Sequence, residues 1–157
     1  MILAIDPGTT ESGWATLTDE GVPLCRGVMP NDDLLASLFN YASHKGYTLA
    51  IEMVAHYGMP VGREVFETCV WIGRFQQKWR APDEVRLIYR RDVKLHLCGS
   101  SRAKDANIRQ ALIDRLGPIG TKKDPGPLYG VKSHAWAALA VAVTAFDTAL
   151  DGQPKQA

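Results

Sequence analysis

The chain has 157 residues, 46% of them hydrophobic and 22% charged, with a formal net charge of +1. This is one domain's worth of sequence with enough apolar residues for a buried core, which sets aside a disordered or fibrous chain. No apolar run approaches the roughly 18 residues of a membrane span, and no basic region precedes Ile2 as in a signal peptide. Cys25, Cys69 and Cys98 are too scattered for a disulfide framework or a zinc site. They read as reduced core or half-buried thiols of a cytoplasmic protein.

The small net charge hides a division. Residues 1–77 carry 4 Lys and Arg against 9 Asp and Glu, whereas residues 78–132 carry 13 against 6. A basic half suits attraction of a polyanion, and an acidic half suits the holding of cations.

In chain order, strands are expected at about 1–6, 11–18 and 22–28, the last two joined by the turn Thr18-Asp19-Glu20-Gly21. Ile2–Ile5 is an apolar run that ends on Asp6, and Pro7-Gly8 then turns the chain. A carboxylate at the end of a buried strand is costly unless a metal ion or a ligand's donors meet it. A helix begins at Asn31-Asp32-Asp33 and runs to about 44 on the apolar face of Leu34, Leu35, Leu38 and Phe39, with Gly46 behind it. The strand at about 48–54 repeats the first design, with Glu52 inside Leu49–Val54. Two such strands side by side would put two carboxylates into one site.

A glycine-bearing loop at 55–62 leads into a helix at about 63–79, then a short strand at 85–89 and a short helix at 91–97. Ser100 or Ser101 is expected to cap a helix at about 102–116, and Gly117 to stop it. Residues 118–130 form a loop rich in Pro and Gly, the last helix covers about 132–148, and a polar tail fills 151–157. The expected architecture is α/β: one domain over 1–150 with a five-stranded mixed sheet, its first three strands antiparallel, and helices on both faces.

The segments Ala4-Ile5-Asp6-Pro7-Gly8-Thr9-Thr10-Glu11-Ser12-Gly13-Trp14-Ala15, Ala50-Ile51-Glu52, Val93-Lys94 with Gly99 and Ala103-Lys104-Asp105, and Ser133–Val143 carry a resemblance. Together they resemble the RuvC-like Holliday-junction resolvases of the ribonuclease H-like nuclease superfamily, and most of all their short, phage-type members. The resemblance runs from Ile2 to about Thr144. It implies a metal-dependent endonuclease that resolves four-way and related branched DNA junctions by paired nicks. It also implies Asp6 and Glu52 as metal ligands and Lys104 as a lysine near the scissile phosphate.

One departure stands out. The family's last helix usually offers Asp-x-x-Asp, whereas His134-Ala135-Trp136-Ala137 stands here. His134 falls on the first position and is a competent ligand or proton carrier. Ala137 falls on the second and binds nothing, which leaves open a branched-DNA-binding protein with weakened cleavage or none.

In-line hydrolysis of a phosphodiester is served by two cations clamping the attacking and leaving oxygens. Hard oxygen ligands select Mg²⁺, and an imidazole tilts the site toward Mn²⁺. Arg90, Arg91, Lys94, Arg102, Arg109, Lys122, Lys123 and Lys132 are candidate phosphate contacts. Tyr57 and Met59, in the loop after Glu52, are candidate wedges at the crossover. The 63–79 helix is apolar on more than one face, so a homodimer through it is expected, its two-fold axis serving two cuts. Asp105 and Asp124 are reserve acids, more often structural at such places. Asp6-Pro7-Gly8-Thr9-Thr10 also resembles the phosphate loop of the actin and sugar-kinase group. That group needs two such domains and a second Asp-Gly loop, so no nucleotide cofactor is expected.

Overall fold

The computed structural model describes residues 1–43 and 46–151. All but the first residue of the tail expected at 151–157 lies outside them. Five strands, β1 (Ile2–Asp6), β2 (Glu11–Leu17), β3 (Pro23–Pro30), β4 (Thr48–Met53) and β5 (Arg86–Tyr89), form one sheet in the order β3-β2-β1-β4-β5. β1 to β3 are antiparallel, whereas β4 and β5 run parallel to β1. The helices are α1 (Asn31–Ser43), α2 (Arg63–Lys78), α3 (Arg90–Cys98), α4 (Asp105–Leu116) and α5 (His134–Asp151).

The alternation of side chains along a strand decides what each face carries. On β1 and β4, Leu3, Ile5, Leu49 and Ile51 pack with Leu34 and Leu38 of α1 and Ile72 and Phe75 of α2. The opposite face carries Ala4, Ala15 and Ala50 beneath α5, whose Ala135, Ala138, Ala142 and Ala145 are also buried. Small residues on both partners let this helix lie close to the sheet, and α5 is the most deeply buried helix. α3 and α4 complete that layer through Val93, Ile108 and Leu112. The expected mixed sheet with helices on both faces is therefore present.

The turn at Thr18–Gly21 forms as expected. The Gly21 N–H donates to the Thr18 carbonyl at 3.1 Å, and Gly21 takes φ 78°, which a glycine adopts without strain. β3 runs two residues beyond its expected end, to Pro30, because Glu11 and Pro30 still pair across the ladder. α4 begins three residues later than expected, and neither Ser100 nor Ser101 caps it. Its N-cap is Lys104, whose N–H donates to the Asn107 Oδ1 at 2.9 Å, while Ser100 Oγ accepts from the Arg102 N–H in the preceding turn. Of the thiols read as core or half-buried, Cys25 is exposed, since it lies on the open edge strand β3; Cys69 and Cys98 are half-buried. Among the described residues, no helix is long and apolar enough to cross a membrane.

Candidate active site

The site is built where β1 and β4 end. Their register pairs Ala4 with Ala50 and Ile5 with Ile51, so the next residues, Asp6 and Glu52, stand side by side on the face covered by α5. Both side chains are nearly buried, at 14% and 13% exposure. Pro7 and Gly8 then turn the chain away into β2, and the loop is held by its own hydrogen bonds. The Asn31 side-chain amide donates to the Gly8 carbonyl at 3.0 Å, and Ser12 Oγ lies 2.5 Å from the Asn31 Oδ1.

β2 brings the third group. Gly13 pairs with Asp6, and a Cβ at Gly13 would overlap the carbonyl group of His134. The bare glycine lets the first turn of α5 rest on the strand, and His134 then reaches Asp6, its Nδ1 2.8 Å from Oδ2. β5 brings the fourth. Ile88 is the register partner of Glu52, and Arg90 opens α3 two residues further on. Its guanidinium donates to Glu52 Oε2 at 3.3 Å and to Asp105 Oδ1 at 2.6 Å. A cavity of about 870 Å³ joins these groups, with Arg109, Lys132, Trp136 and Ala137 also on its wall.

Electrostatics follow from burial. Desolvation, then the neighbouring Asp6 charge, pushes the Glu52 carboxyl up to about 7, against the pull of Arg90. Burial also raises Asp6, opposed by its hydrogen bond from His134. Burial disfavours ionising both carboxylates, a cost that a bound divalent cation would offset. Asp6 and Glu52 thus have the chemistry of a hard-cation site, since Mg²⁺ keeps several waters and takes one or two carboxylates. A fuller cage is absent: among the described residues, no set of three or more His, Cys, Asp and Glu is gathered closely enough to hold a metal ion. When the Nδ1 proton of His134 is donated to Asp6, Nε2 is left as an acceptor on a ring 44% exposed to the cavity mouth.

The structure brings together Asp6, Glu52, His134, Arg90, Arg109 and Lys132 of the residues singled out in the sequence. Arg90 is not a free surface cation but a half-buried partner of two acids. Lys104, the exposed N-cap of α4, is not on the cavity wall, although its neighbour Asp105 is. Arg91 and Arg102 are exposed and Lys94 is half-buried, all three off the cavity wall. Lys122 and Lys123 are exposed in the 118–130 loop, with Asp124 closing a small turn to Thr121. Tyr57 and Met59 are 56% and 71% exposed, beyond the end of β4. Sequence reasoning undervalued Asp105. Its signal was Arg90, a basic residue directly after the neighbouring strand β5. Trp136 of α5, half-buried against the core beneath that helix, also walls the cavity, with the Arg109 guanidinium 4.6 Å above its ring.

No family model and no curated protein matches the chain. Solved structures do. One is of Thermus thermophilus RuvC, at a TM-score of 0.67 and 20% identity over 96% of this chain and 96% of that one. Another is of T. thermophilus RuvC in complex with a Holliday junction substrate, at a TM-score of 0.65 and 18% identity over 96% of this chain and 95% of that one. At such identity the likeness is one of architecture, and it spans nearly the whole of both chains: this chain has the RuvC-like, ribonuclease H-like fold.

Proposed function

We propose that this chain is, over residues 1–150, a single nuclease domain acting as a structure-selective, metal-dependent DNA endonuclease that resolves four-way and related branched junctions by paired nicks. The observation that carries this reading is the adjacent pair of buried carboxylates, Asp6 and Glu52, at the ends of two parallel strands with His134 against one of them. The fold supports it, as does the RuvC structure solved with a Holliday junction substrate.

Asp6 and Glu52 would hold Mg²⁺, with Mn²⁺ able to substitute, and a bound cation supplies charge stabilisation for the phosphodiester oxygens. Asp6 also orients the imidazole of His134, whose Nε2 takes or gives a proton at the cavity mouth. Arg109 and Lys132 line the cavity where a phosphate would enter, and Lys104 stands just outside it. Arg91, Lys94, Arg102, Lys122 and Lys123 would position flanking backbone without reading its sequence. Tyr57 and Met59 would enter the crossover. A homodimer through α2 fits the two cuts, and Phe66 and Val70 of that helix, 61% and 54% exposed, support it. A cytoplasmic location accords with DNA as the substrate.

A second reading is a junction-binding protein that cuts poorly or not at all. The favouring observation is the methyl group of Ala137 on the cavity wall, where an acid would complete the site.

The test is cleavage of a synthetic four-way junction at low salt, in Mg²⁺ and separately in Mn²⁺, beside Asp6→Asn. Paired symmetric nicks that vanish in Asp6→Asn are expected. Tight junction binding without nicks in either metal would favour the second reading, with Ala137→Asp as the rescue. No preference for the junction over linear duplex would overturn the junction reading itself.

A further inference from the structure

We infer that Arg90 occupies the place of a second cation in this site, held there by Asp105, so that the site takes one divalent cation and not two. The inference rests on the nuclease reading above, and concerns what that site holds.

The placement is geometric. Arg90 follows β5 on the line of Ile88, which pairs with Glu52, and its fork spans two carboxylates from different elements, Glu52 of β4 and Asp105 of α4. The side chain is only 25% exposed, so it is enclosed by the site and not merely near it. A guanidinium stays charged at every physiological pH and presents donors in a fixed fork that matches carboxylate or phosphate oxygens. It can therefore contact a phosphate oxygen and stabilise charge there, the task a second metal ion would perform.

The donor set agrees. Ala137 contributes no ligand, and among the described residues no three His, Cys, Asp or Glu groups are gathered for an ion. Arg109 on the cavity wall stacks on Trp136, whereas Arg90 bridges two of the wall's carboxylates, Glu52 and Asp105. Asp105 acts through Arg90: its own side chain is 82% exposed and meets the guanidinium at 2.6 Å. It is a positioning residue, whereas Arg90 touches the phosphate.

The experiment is a titration of the full chain with Mn²⁺, free Mn²⁺ being counted by electron paramagnetic resonance, with junction cleavage measured on the same samples. One equivalent is expected in the wild type and none in Asp6→Asn. Arg90→Gln, shown folded by circular dichroism, is expected to admit a second equivalent or bind the first about tenfold tighter. Arg90→Lys keeps the count at one. Should Arg90→Gln not fold, Asp105→Asn provides the reading: one equivalent, about tenfold weaker, because the guanidinium then bears on Glu52 and Asp6 alone. Two equivalents in the wild type overturn the inference. Unchanged count and affinity in the folded Arg90→Gln, or unchanged affinity in Asp105→Asn, also overturn it. One Mn²⁺ bound without any junction cleavage overturns the nuclease reading and leaves the single-cation site standing, whereas no Mn²⁺ bound in the wild type overturns both.

Discussion

Gly13 and His134 meet backbone to backbone: a Cβ on Gly13 would overlap the His134 carbonyl and stand 2.8 Å from the Ala135 nitrogen. Gly13 is also the register partner of Asp6, so one glycine sets both the strand beside the acid and the helix that brings the imidazole to it. Gly13→Ala must push the start of α5 off β2, because a backbone carbonyl cannot rotate aside as a side chain does. Overpacking of this kind costs about 1–3 kcal/mol. The expected outcome is a lowered urea midpoint together with loss of junction nicking. A variant with wild-type stability and activity would show that α5 seats without this contact.

Asp6→Asn is expected to abolish nicking yet leave stability equal or higher. The buried Asp6 carboxylate repels Glu52 and is itself disfavoured by burial. Asparagine keeps the shape and an acceptor for His134 while removing that charge. The gain expected is about 1 kcal/mol, the usual scale when a strained functional group is relaxed. Thermal unfolding in a chelator measures it, and a marked drop in the midpoint would contradict the account.

The pH dependence of the metal-free chain follows from Glu52. Its carboxyl rises from an ordinary 4.5 to about 7, so between those values the folded chain binds more protons than the unfolded one. Stability is then greatest at low pH within this window and falls as pH rises toward 7. Asp147 acts in the opposite direction but elsewhere. Hydrogen bonds from Arg115 and His96 hold it below its usual 3.8 despite its desolvation, so its contribution is lost only in stronger acid. Urea unfolding in a chelator at pH 5 and pH 8 is expected to show the higher stability at pH 5, with the difference largely gone in Glu52→Gln. A difference of the same size in Glu52→Gln would place its source elsewhere.

The loop after β4 separates function from stability. Tyr57 and Met59 are exposed, so Tyr57→Ala and Met59→Ala are expected to change stability by less than about 0.5 kcal/mol. Junction binding, followed by gel shift against linear duplex of equal length, is expected to weaken for at least one of them while duplex binding holds. Equal loss on both DNAs would make these residues general DNA contacts.

Much of the architecture was legible in the residues because it depends on local pattern. Alternation along Ile2–Asp6 and Leu49–Met53 assigns one face to Leu3, Ile5, Leu49 and Ile51 and the other to Ala4, Asp6, Ala50 and Glu52. The turn at Gly21 and the start of α1 at Asn31 follow from backbone preferences within a few residues. The start of α4 was misread because serines at 100 and 101 outrank lysine as caps by propensity, whereas the Lys104 N–H is met by Asn107 from inside the helix.

Sequence by itself placed Asp6 and Glu52 in apolar strands and His134 at a helix start, since each is a matter of residue type within a local pattern, while Ala137 stood out only against the resemblance to the resolvase family. Only the tertiary structure decided their company. Arg90 read as one surface cation among several, and Asp105 as a helix-start acid, until parallel pairing of β4 with β5 and the packing of α4 brought both to Glu52. Such pairing joins residues 38 and 15 positions apart in the chain through chance-free geometry that no local pattern encodes. The pairing of Glu52 and Asp105 through Arg90 belongs to that long-range arrangement.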